Sequence, residues 1–308
     1  MITVLMSTYN GEKYLQEQID SLLNQSYKDF ELIARDDGGN DNSKDILASN
    51  GISLLSSGAN VGVKKSFSAL LEYALKKTKK NEYFMFSDQD DVWSQEKIEK
   101  AFKKMKEIEN EYPKIPLLVY TDLEVVDDNL QTINKSFWHF ENINPSCNSF
   151  NRLLMQNTIT GCTVIINRKL AELALPIPNE AIMHDWWLGL VASKFGKVAY
   201  VNESLIKYRQ HGSNSIGAKG FSYLSIWMKF YKIFVKNELY LKHLLVNISQ
   251  AKEFLDRYRN ILDKDTVIML EEFTTIESKS FWQRRKVLLK YGLLKQGMLR
   301  NMGLLLKI

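Results

Sequence analysis

Residues 83–91 read YFMFSDQDD, an apolar run that is followed at once by three carboxylates within four residues. A short apolar run bounded by polar residues is typical of a buried strand, so we predict a central strand over 83–86. Asp88, Asp90 and Asp91 would then lie at the carboxyl end of that strand, the edge at which open parallel sheets bind ligands. Such close carboxylates repel one another unless a cation or hydrogen-bond donors balance them, and their hard oxygen atoms suit Mg²⁺ or Mn²⁺. The stretch therefore predicts a metal and phosphate site, with a solvated acidic turn as the plainer alternative.

Two strands upstream are predicted to end at polar residues in the same way. The run 2–6 precedes a polar loop, and the run 30–34 precedes Asp36 and Asp37. Apolar spacing predicts a helix between them over 13–25, and a strand, a helix and a strand in this order imply a parallel pair. The alternation continues with strands at 54–55, 117–121 and 161–166 and with helices at 66–77, 96–112, 169–175 and 185–195. The pattern predicts the α/β fold class, a doubly wound and mostly parallel sheet of the Rossmann-like kind.

The chain changes character near residue 218. Residues 221–308 hold 16 Lys and Arg against 8 Asp and Glu, and their apolar spacing is helical without a strand pattern. We therefore expect an α/β domain over 1–218, with two halves near 1–125 and 126–218, and a basic α-helical region over 219–308.

The composition excludes several classes of protein. Hydrophobic residues make up 45% and charged residues 25% of the 308 residues, which excludes disordered, collagen-like and polytopic membrane chains. No run reaches the roughly 18 apolar residues of a membrane span, and residues 1–6 are too short and uncharged for a signal peptide. Two cysteines fit a reducing compartment, so we expect the protein inside the cell. No nucleic-acid-reading motif accompanies the basic residues, and nucleic acid is not expected as a partner.

Six short motifs follow one another along the chain: TYN at 8–10, DDG at 36–38, DQDDVW at 88–93, GCT at 161–163, HDWW at 184–187 and YRQH at 208–211. In this order they resemble the family 2 inverting glycosyltransferases, which have the GT-A fold. Within that family the chain is most similar to the bacterial rhamnosyltransferase-like enzymes that build cell-wall and capsular polysaccharides. The resemblance covers about residues 1–216, and the basic C-terminal segment also looks like theirs.

The resemblance implies a nucleotide-diphosphate sugar as the donor, bound by the half near 1–125. Thr8, Tyr9 and Asp37 fall where the family holds the nucleotide base, and Asp88 falls near the ribose and a metal-bound water. The full set expected to bind the donor is Thr8, Tyr9, Asn10, Asp37, Asn60, Lys64 and Asp88. For Lys64, which would contact a phosphate, a solvated helix start is an equal alternative.

The resemblance also implies Mn²⁺ or Mg²⁺ as the cofactor and a glycan or lipid-linked saccharide as the acceptor, bound by the half near 126–218. Asp90 falls at the direct metal ligand, His211 at a metal or diphosphate contact, and Asp185 at the general base. The set expected to bind the acceptor is Gly161, Cys162, Trp186 and Trp187. Core packing is the stronger alternative for the two tryptophans, and Cys162 is expected to be a small core residue rather than a nucleophile.

Elementary chemistry agrees with these roles. A cation held by Asp90 would stabilise the charge that develops on the leaving diphosphate, and a carboxylate is needed to take the proton of the attacking hydroxyl. Asp185, beside an aromatic wall, would have a raised pKa suited to that task. Its alternative role is that of a helix N-cap, since it precedes an apolar helical run.

Other functions stay open on the sequence alone. Among donors dTDP-L-rhamnose is the first expectation, and UDP-hexoses or UDP-N-acetylhexosamines come next. A nucleotidyltransferase is the second enzyme class, although the polar loop after the first strand lacks the glycine-rich, basic character that it needs. A non-enzymatic, membrane-associated scaffold is the third possibility.

The C-terminal segment suggests where the protein acts. Residues 279–308 contain eight basic residues and no acidic one, interleaved with leucines and aromatics. This composition suits a helix that lies on an anionic membrane, which would place the protein at the inner face of a bacterial cell membrane. The equal alternative is a helix pair that packs on the α/β domain or on a second subunit in a homodimer.

Overall fold

The computed structural model describes residues 1–55, 59–77, 82–212 and 237–308, the last range without the side chains of 237–243. The expected domain boundary near 218 lies outside these residues. Within them, strands and helices alternate as far as residue 209, and helices alone follow from residue 237.

The described residues form nine strands and twelve helices. The strands are β1 (Ile2–Thr8), β2 (Phe30–Asp36), β3 (Ser53–Leu54), β4 (Tyr83–Ser87), β5 (Val92–Trp93), β6 (Leu117–Val126), β7 (Thr132–Asn134), β8 (Ile165–Asn167) and β9 (Lys197–Arg209). The helices before β9 are α1 (Glu12–Leu23), α2 (Ser43–Ser49), α3 (Val63–Lys77), α4 (Lys97–Glu111), α5 (Phe137–Glu141), α6 (Phe150–Leu153), α7 (Arg168–Ala174) and α8 (His184–Phe195). The C-terminal helices are α9 (Asn237–Tyr258), α10 (Lys264–Thr274), α11 (Phe281–Lys290) and α12 (Met298–Lys307).

All strands belong to one sheet in the order β3-β2-β1-β4-β8-β6-β9-β5, with β7 beside β6. The part built from β1 to β4 is parallel, with Thr8 opposite Asp36 and Met6 opposite Ser87. Because the connecting segments α1 and α3 are helical, each crossover returns the chain to the same end of the sheet. The predicted α/β fold class is confirmed.

The sheet is mixed beyond β4. β8 runs antiparallel to both β4 and β6, whereas β9 runs parallel to β6. The strand expected over 161–166 is shorter than predicted, because Gly161–Thr163 form a 3-10 turn in which Thr163 N donates to Thr160 O at 3.0 Å. The sequence analysis missed β9 altogether, since most of its residues are half-buried or exposed and it lacks a continuous apolar run.

Two hydrophobic clusters cover the two faces of the sheet. Val4 and Met6 belong to the cluster under α1 and α4, whereas Leu5 belongs to the cluster under α3 and α8, as the period of two in a strand requires. The C-terminal helices extend the second cluster, since Phe254 of α9 packs on Trp187 with ring centroids 5.7 Å apart. None of the described helices is long and apolar enough to cross a membrane.

Candidate active site

The carboxyl ends of β1, β2 and β4 meet at one edge of the sheet, where the sequence placed the acidic loops. A cavity of about 670 Å³ opens at this edge. From the strand ends its wall includes Ser7, Thr8, Tyr9, Asp37, Asn60, Asp88, Gln89 and Asp90, and from the second half of the domain it includes Asn157, Thr158, Gly161, His184, Asp185, Trp186 and Tyr208. Both halves of the α/β domain therefore contribute side chains to a single chamber.

Asp37 holds together the part of the cavity wall that lies at the ends of β1 and β2. Its carboxylate accepts hydrogen bonds from Val61 N at 3.0 Å and Gly62 N at 2.7 Å, and it forms an ion pair with the buried Arg35 guanidinium. Its own main-chain N donates to Thr8 O at 2.7 Å. These bonds join the ends of β1 and β2 to the start of α3, so the loop carrying Asn60 is held at the cavity.

The loop after β1 is fixed by its side-chain contacts. Asn10 adopts a positive φ of 49°, which asparagine tolerates, and its Oδ1 accepts from Asn40 N at 2.9 Å. A Cβ on Gly39 would lie 2.9 Å from Asn10 N, so glycine is required there by close approach. Tyr9 N donates to Gln89 Oε1 at 2.7 Å, and Gln89 Nε2 donates back to Tyr9 O at 3.1 Å. The loops after β1, β2 and β4 are thus tied together.

The end of β9 brings a histidine to the acidic loop after β4. His211 Nε2 lies 2.8 Å from Asp90 Oδ2. Arg209 donates from Nε to Asp90 O at 2.9 Å and from its main-chain N to Asp91 Oδ1 at 3.2 Å. The loop that carries Asp90 is therefore positioned by residues that lie about 120 positions later in the chain.

Carboxylates are crowded beneath this contact. Burial, together with the charges of Asp90 and Asp185, raises the pKa of Asp88 to about 7. Burial also raises the pKa of Asp91 well above its usual range, with the charges of Asp90 and Asp88 acting in the same direction. The nearby Lys97 is fully buried with Nζ 3.1 Å from the Trp93 ring centroid, and burial lowers its pKa well below the usual value. The cluster is therefore short of positive charge, which a cation would supply.

Asp185 lies across the cavity, in the first turn of α8. Its Oδ1 accepts from Trp186 N at 2.7 Å, and Asn157 Nδ2 donates to its Oδ2 at 3.3 Å. Burial raises its pKa to about 6, while these hydrogen bonds act in the opposite direction. Met183 occupies the N-cap position, so Asp185 is not the helix cap that the sequence offered as an alternative. A carboxylate with a pKa near neutrality can accept a proton from a hydroxyl group.

The arrangement is one chamber with a crowded acidic edge and, from the first turn of α8, the further carboxylate of Asp185. The family model described as "Glycosyl transferase family 2" matches residues 3–171, more than half of the chain. The chain belongs to glycosyl transferase family 2. The family expected from the six motifs is confirmed, and the chain is a glycosyltransferase.

Two curated relatives of this family 2 enzyme carry specific names. A Shigella flexneri protein named dTDP-rhamnosyl transferase RfbG is 27% identical over 292 residues, which cover 91% of this chain and 94% of the relative. An Escherichia coli protein named UDP-Glc:alpha-D-GlcNAc-diphosphoundecaprenol beta-1,3-glucosyltransferase WfgD is 26% identical over 254 residues, covering 80% and 91%. These are proteins to which the chain is similar.

A solved structure supports the fold. The mannosyltransferase PcManGT from Pyrobaculum calidifontis, in complex with GDP-Man and Mn²⁺, matches with a TM-score of 0.52 at 14% identity. The match covers 95% of this chain and 86% of that chain. The family 2 enzyme therefore has the GT-A architecture that the motifs implied.

The two adjacent tryptophans of the family 2 enzyme have different positions. Trp186 is half-buried, lines the cavity and donates from its indole nitrogen to Leu153 O at 2.6 Å. Trp187 is fully buried in the core and donates to Ala174 O at 3.0 Å. Of the two tryptophans expected to bind the acceptor, only Trp186 has the position for that role, because neighbours on a helix point in different directions.

Four other expected site residues lie off the cavity wall, and one of them, His211, reaches it through its contact with Asp90. Lys64 Nζ donates to Asn179 O at 2.5 Å and Ala181 O at 2.6 Å, so two main-chain carbonyl groups bind the ammonium group that was expected at a phosphate. Cys162 is buried beneath Asp88 and Asp91, with ligand atoms of all three within 4.8 Å of one another. Asn10 holds the loop after β1 rather than lining the cavity.

Several residues of the site were missed by the sequence analysis. His184 and Thr158 line the cavity, and both ring nitrogens of His184 and Thr158 Oγ1 are buried without a hydrogen-bond partner among the described residues. Gln89 and Arg209 position the loops. Gln89, His184 and Arg209 stand inside three of the six motifs, DQDDVW, HDWW and YRQH, and their place there was the available signal. Thr158 had no such signal.

Proposed function

We propose that the enzyme transfers a sugar, with inversion and with the help of a divalent cation, from a nucleotide-diphosphate sugar to a hydroxyl group of a glycan or lipid-linked saccharide. The observation that carries the proposal is the single cavity in which the acidic edge near Asp90 and the carboxylate of Asp185 face a common space. The setting we propose is bacterial polysaccharide synthesis, at the cytoplasmic face of the cell membrane.

The donor is proposed to bind at the ends of β1, β2 and β4. Asp37 offers a carboxylate to the nucleotide base, Tyr9 offers a ring that is 49% exposed, and Thr8 and Asn60 complete this wall. We propose dTDP-L-rhamnose as the first donor, since the relative RfbG is named a dTDP-rhamnosyl transferase. UDP-hexoses or UDP-N-acetylhexosamines are the alternative, since WfgD is named for UDP-Glc.

The side chains at the acidic edge could serve as ligands of Mn²⁺ or Mg²⁺. Asp90 and His211 present an oxygen and a nitrogen 2.8 Å apart, and Asp88 stands beside them with a pKa raised by burial and by the charges of Asp90 and Asp185. Carboxylate oxygens with one imidazole are ligands that these cations accept. The bound cation would act as a Lewis acid on the diphosphate. The related fold of PcManGT was solved with GDP-Man and Mn²⁺.

Asp185 is proposed to be the general base. The acceptor oxygen forms its bond to the anomeric carbon, the bond from that carbon to the diphosphate oxygen breaks, and the hydroxyl proton passes to the Asp185 carboxylate. A single displacement of this kind inverts the anomeric configuration and needs no covalent intermediate. The buried Cys162 has no role in it, because its thiol pKa is raised by burial and it lies off the cavity wall. Trp186 offers a half-buried ring against which an acceptor sugar can pack.

The test is calorimetric titration of the chain with dTDP and UDP, in Mn²⁺ and in EDTA, followed by hydrolysis assays with dTDP-L-rhamnose, UDP-glucose and UDP-N-acetylglucosamine. We expect Mn²⁺ to strengthen diphosphate binding at least tenfold, and slow hydrolysis of dTDP-L-rhamnose. The matched controls are dTMP and UMP, whose binding should respond weakly to Mn²⁺ because they lack the second phosphate. Absence of binding to every nucleotide would contradict the proposed function, and equal binding in EDTA would contradict the metal.

A further inference from the structure

Helices α11 and α12 have one face in the core and one face outside. Val287 and Leu288 of α11 and Leu304 of α12 are buried in the hydrophobic cluster that also holds α8 and α9. The connecting Leu293 is buried there as well. The packing that the sequence offered as an alternative role for this segment is therefore present, and removal of residues 279–308 would open the core.

The outer face of these helices is apolar. Trp282 and Leu289, seven residues apart on α11, are 77% and 57% exposed. On α12 the exposed residues follow a spacing of four, with Met298 at 79%, Met302 at 40% and Leu306 at 62%. Residues at these spacings share one side of a helix. Large exposed apolar patches of this kind mark interaction surfaces.

Basic side chains frame the apolar residues. Trp282, Leu289 and Leu305 line a shallow groove of about 500 Å³ together with Arg285, Lys286 and Lys290. Residues 279–308 carry eight basic side chains and no acidic one. From the neighbouring helix α10, Glu272 approaches Lys290 at 3.3 Å, which leaves three basic side chains against one acidic side chain at the groove. We call the surface formed by Trp282, Arg285, Lys286, Leu289 and the exposed residues of α12 the C-terminal face.

Hydrogen bonds join the segment that carries the C-terminal face to the cavity wall. Ahead of α12, Gln296 N donates to Gln156 Oε1 at 2.9 Å, and on α12 Arg300 Nη1 donates to Asn142 O at 2.9 Å. Arg300 Nη2 also donates to Glu141 O at 2.5 Å. Gln156 and Glu141 both line the catalytic cavity. The C-terminal face is therefore connected directly to the side of the cavity that holds Glu141 and Gln156.

We propose that the C-terminal face lies on an anionic lipid bilayer, with its apolar side chains inserted among the acyl chains and its basic side chains at the headgroups. The charge pattern selects this occupant over a second copy of the chain, because two such faces would bring like charges together. Resting on the proposed function, the inference adds that a lipid-linked acceptor reaches the cavity from the side of Glu141 and Gln156.

The test is flotation of the full chain with phosphatidylcholine vesicles and with vesicles containing 30% phosphatidylglycerol, an amount on the order of that in anionic membranes. We expect the chain to float with the anionic vesicles at low salt and to be released as salt rises. The paired variant Trp282→Ser with Leu289→Ser should weaken binding at least tenfold, and Lys286→Glu should weaken it severalfold. Neither variant disturbs a buried residue.

Two matched controls lie on the α/β domain. Ile133→Ser removes an apolar side chain that is 50% exposed, and Lys103→Glu reverses an exposed lysine of α4. Both should float like the unchanged chain. Equal flotation with neutral vesicles, no flotation at all, or equal losses in the controls would overturn the proposal. So would a dimer in light scattering that the Trp282 and Leu289 variant converts to monomer.

Flotation requires no donor, so it separates the two proposals. If the chain floats with anionic vesicles but binds no nucleotide, the membrane-binding role of the C-terminal face is supported and the proposed function is contradicted. If the chain binds nucleotides but does not float, the proposed function is supported and the membrane-binding role of the C-terminal face is contradicted.

Discussion

The catalytic cavity and the C-terminal face use charge in opposite ways. In the cavity the charged groups are acidic and confined, and burial moves the pKa of Asp88 to about 7 and that of Asp185 to about 6. On the C-terminal face the charged groups are basic and mostly partly or fully exposed, and Lys286 is an example. Burial turns a carboxylate into a group that can exchange a proton at neutral pH, whereas exposure leaves a charge suited to long-range attraction.

The two regions also differ in how well their polar atoms are bonded. Around and beneath the cavity, atoms of Asp91, Lys97, Thr158 and His184 are buried without a hydrogen-bond partner among the described residues, whereas on the C-terminal face Arg285 Nη2 is the one such atom. Each such atom costs about 1–3 kcal/mol of folding free energy. Active sites tolerate this cost because substrate or metal supplies the missing partners when bound. Folding stability and function therefore conflict mainly at the cavity.

The largest expected effect is that of replacing Asp90, and it tests whether the acidic edge of the cavity is needed for turnover. Asp90→Asn should abolish nearly all turnover, because an amide oxygen would hold the proposed cation more weakly than a carboxylate does. The fold should persist, since Asp90 is a loop residue at the cavity edge. Turnover of the donor found by the hydrolysis screen, together with circular dichroism, measures both quantities. Near-normal turnover by the folded variant, or full activity of the unchanged chain in EDTA, would contradict the metal site.

The next effect is at Asp185, where the sign of the pH dependence follows from its pKa. A general base acts in its ionised form, so kcat/KM should rise with pH through about 6 and then level off. Asp185→Asn should lower turnover about a hundredfold, abolish this rise and leave donor affinity little changed. A pH profile of kcat/KM for both proteins is the measurement. If donor binding collapses while bound donor still turns over, Asp185 is a binding group.

The smallest expected effect is a difference in stability between valine variants of two buried threonines. It tests the cost of a buried polar atom without a hydrogen-bond partner. Thr158 Oγ1 has no hydrogen-bond partner in the part of the chain that the structure describes, whereas Thr163 Oγ1 donates to Thr160 O at 2.6 Å. Thr163→Val should therefore lower the free energy of unfolding by about 1 kcal/mol, which corresponds to roughly 2 °C in Tm. Thr158→Val should leave Tm unchanged or raise it. Equal losses in thermal unfolding of the two variants would show that the cavity threonine is already satisfied.

Much of the fold could be predicted because its signals are local. The alternation of short apolar runs and helical spacing identified β1, β2, β4 and the helices between them, and the polar residues that follow each run marked the ligand edge. The strand β9 escaped because a half-buried strand with charged residues has no strong apolar signal. The 3-10 turn at Gly161–Thr163 escaped because a hydrogen bond to Thr160 O, and not the apolar pattern, determines it.

By itself the sequence determined which residues end the parallel strands, since strand periodicity and the order of strands and helices are written in neighbouring residues. Only the tertiary structure decided which distant residues join them. In the folded chain His211 lies 2.8 Å from Asp90. Trp186 faces the cavity, whereas Trp187 is buried in the core. The Lys64 ammonium group donates hydrogen bonds to two main-chain carbonyl groups. The physical reason is that contacts between distant segments depend on the order of strands in the sheet, which local patterns do not fix. The pKa values of Asp88 and Asp185 follow from the same cause, because burial exists only once the two halves of the domain close around the cavity.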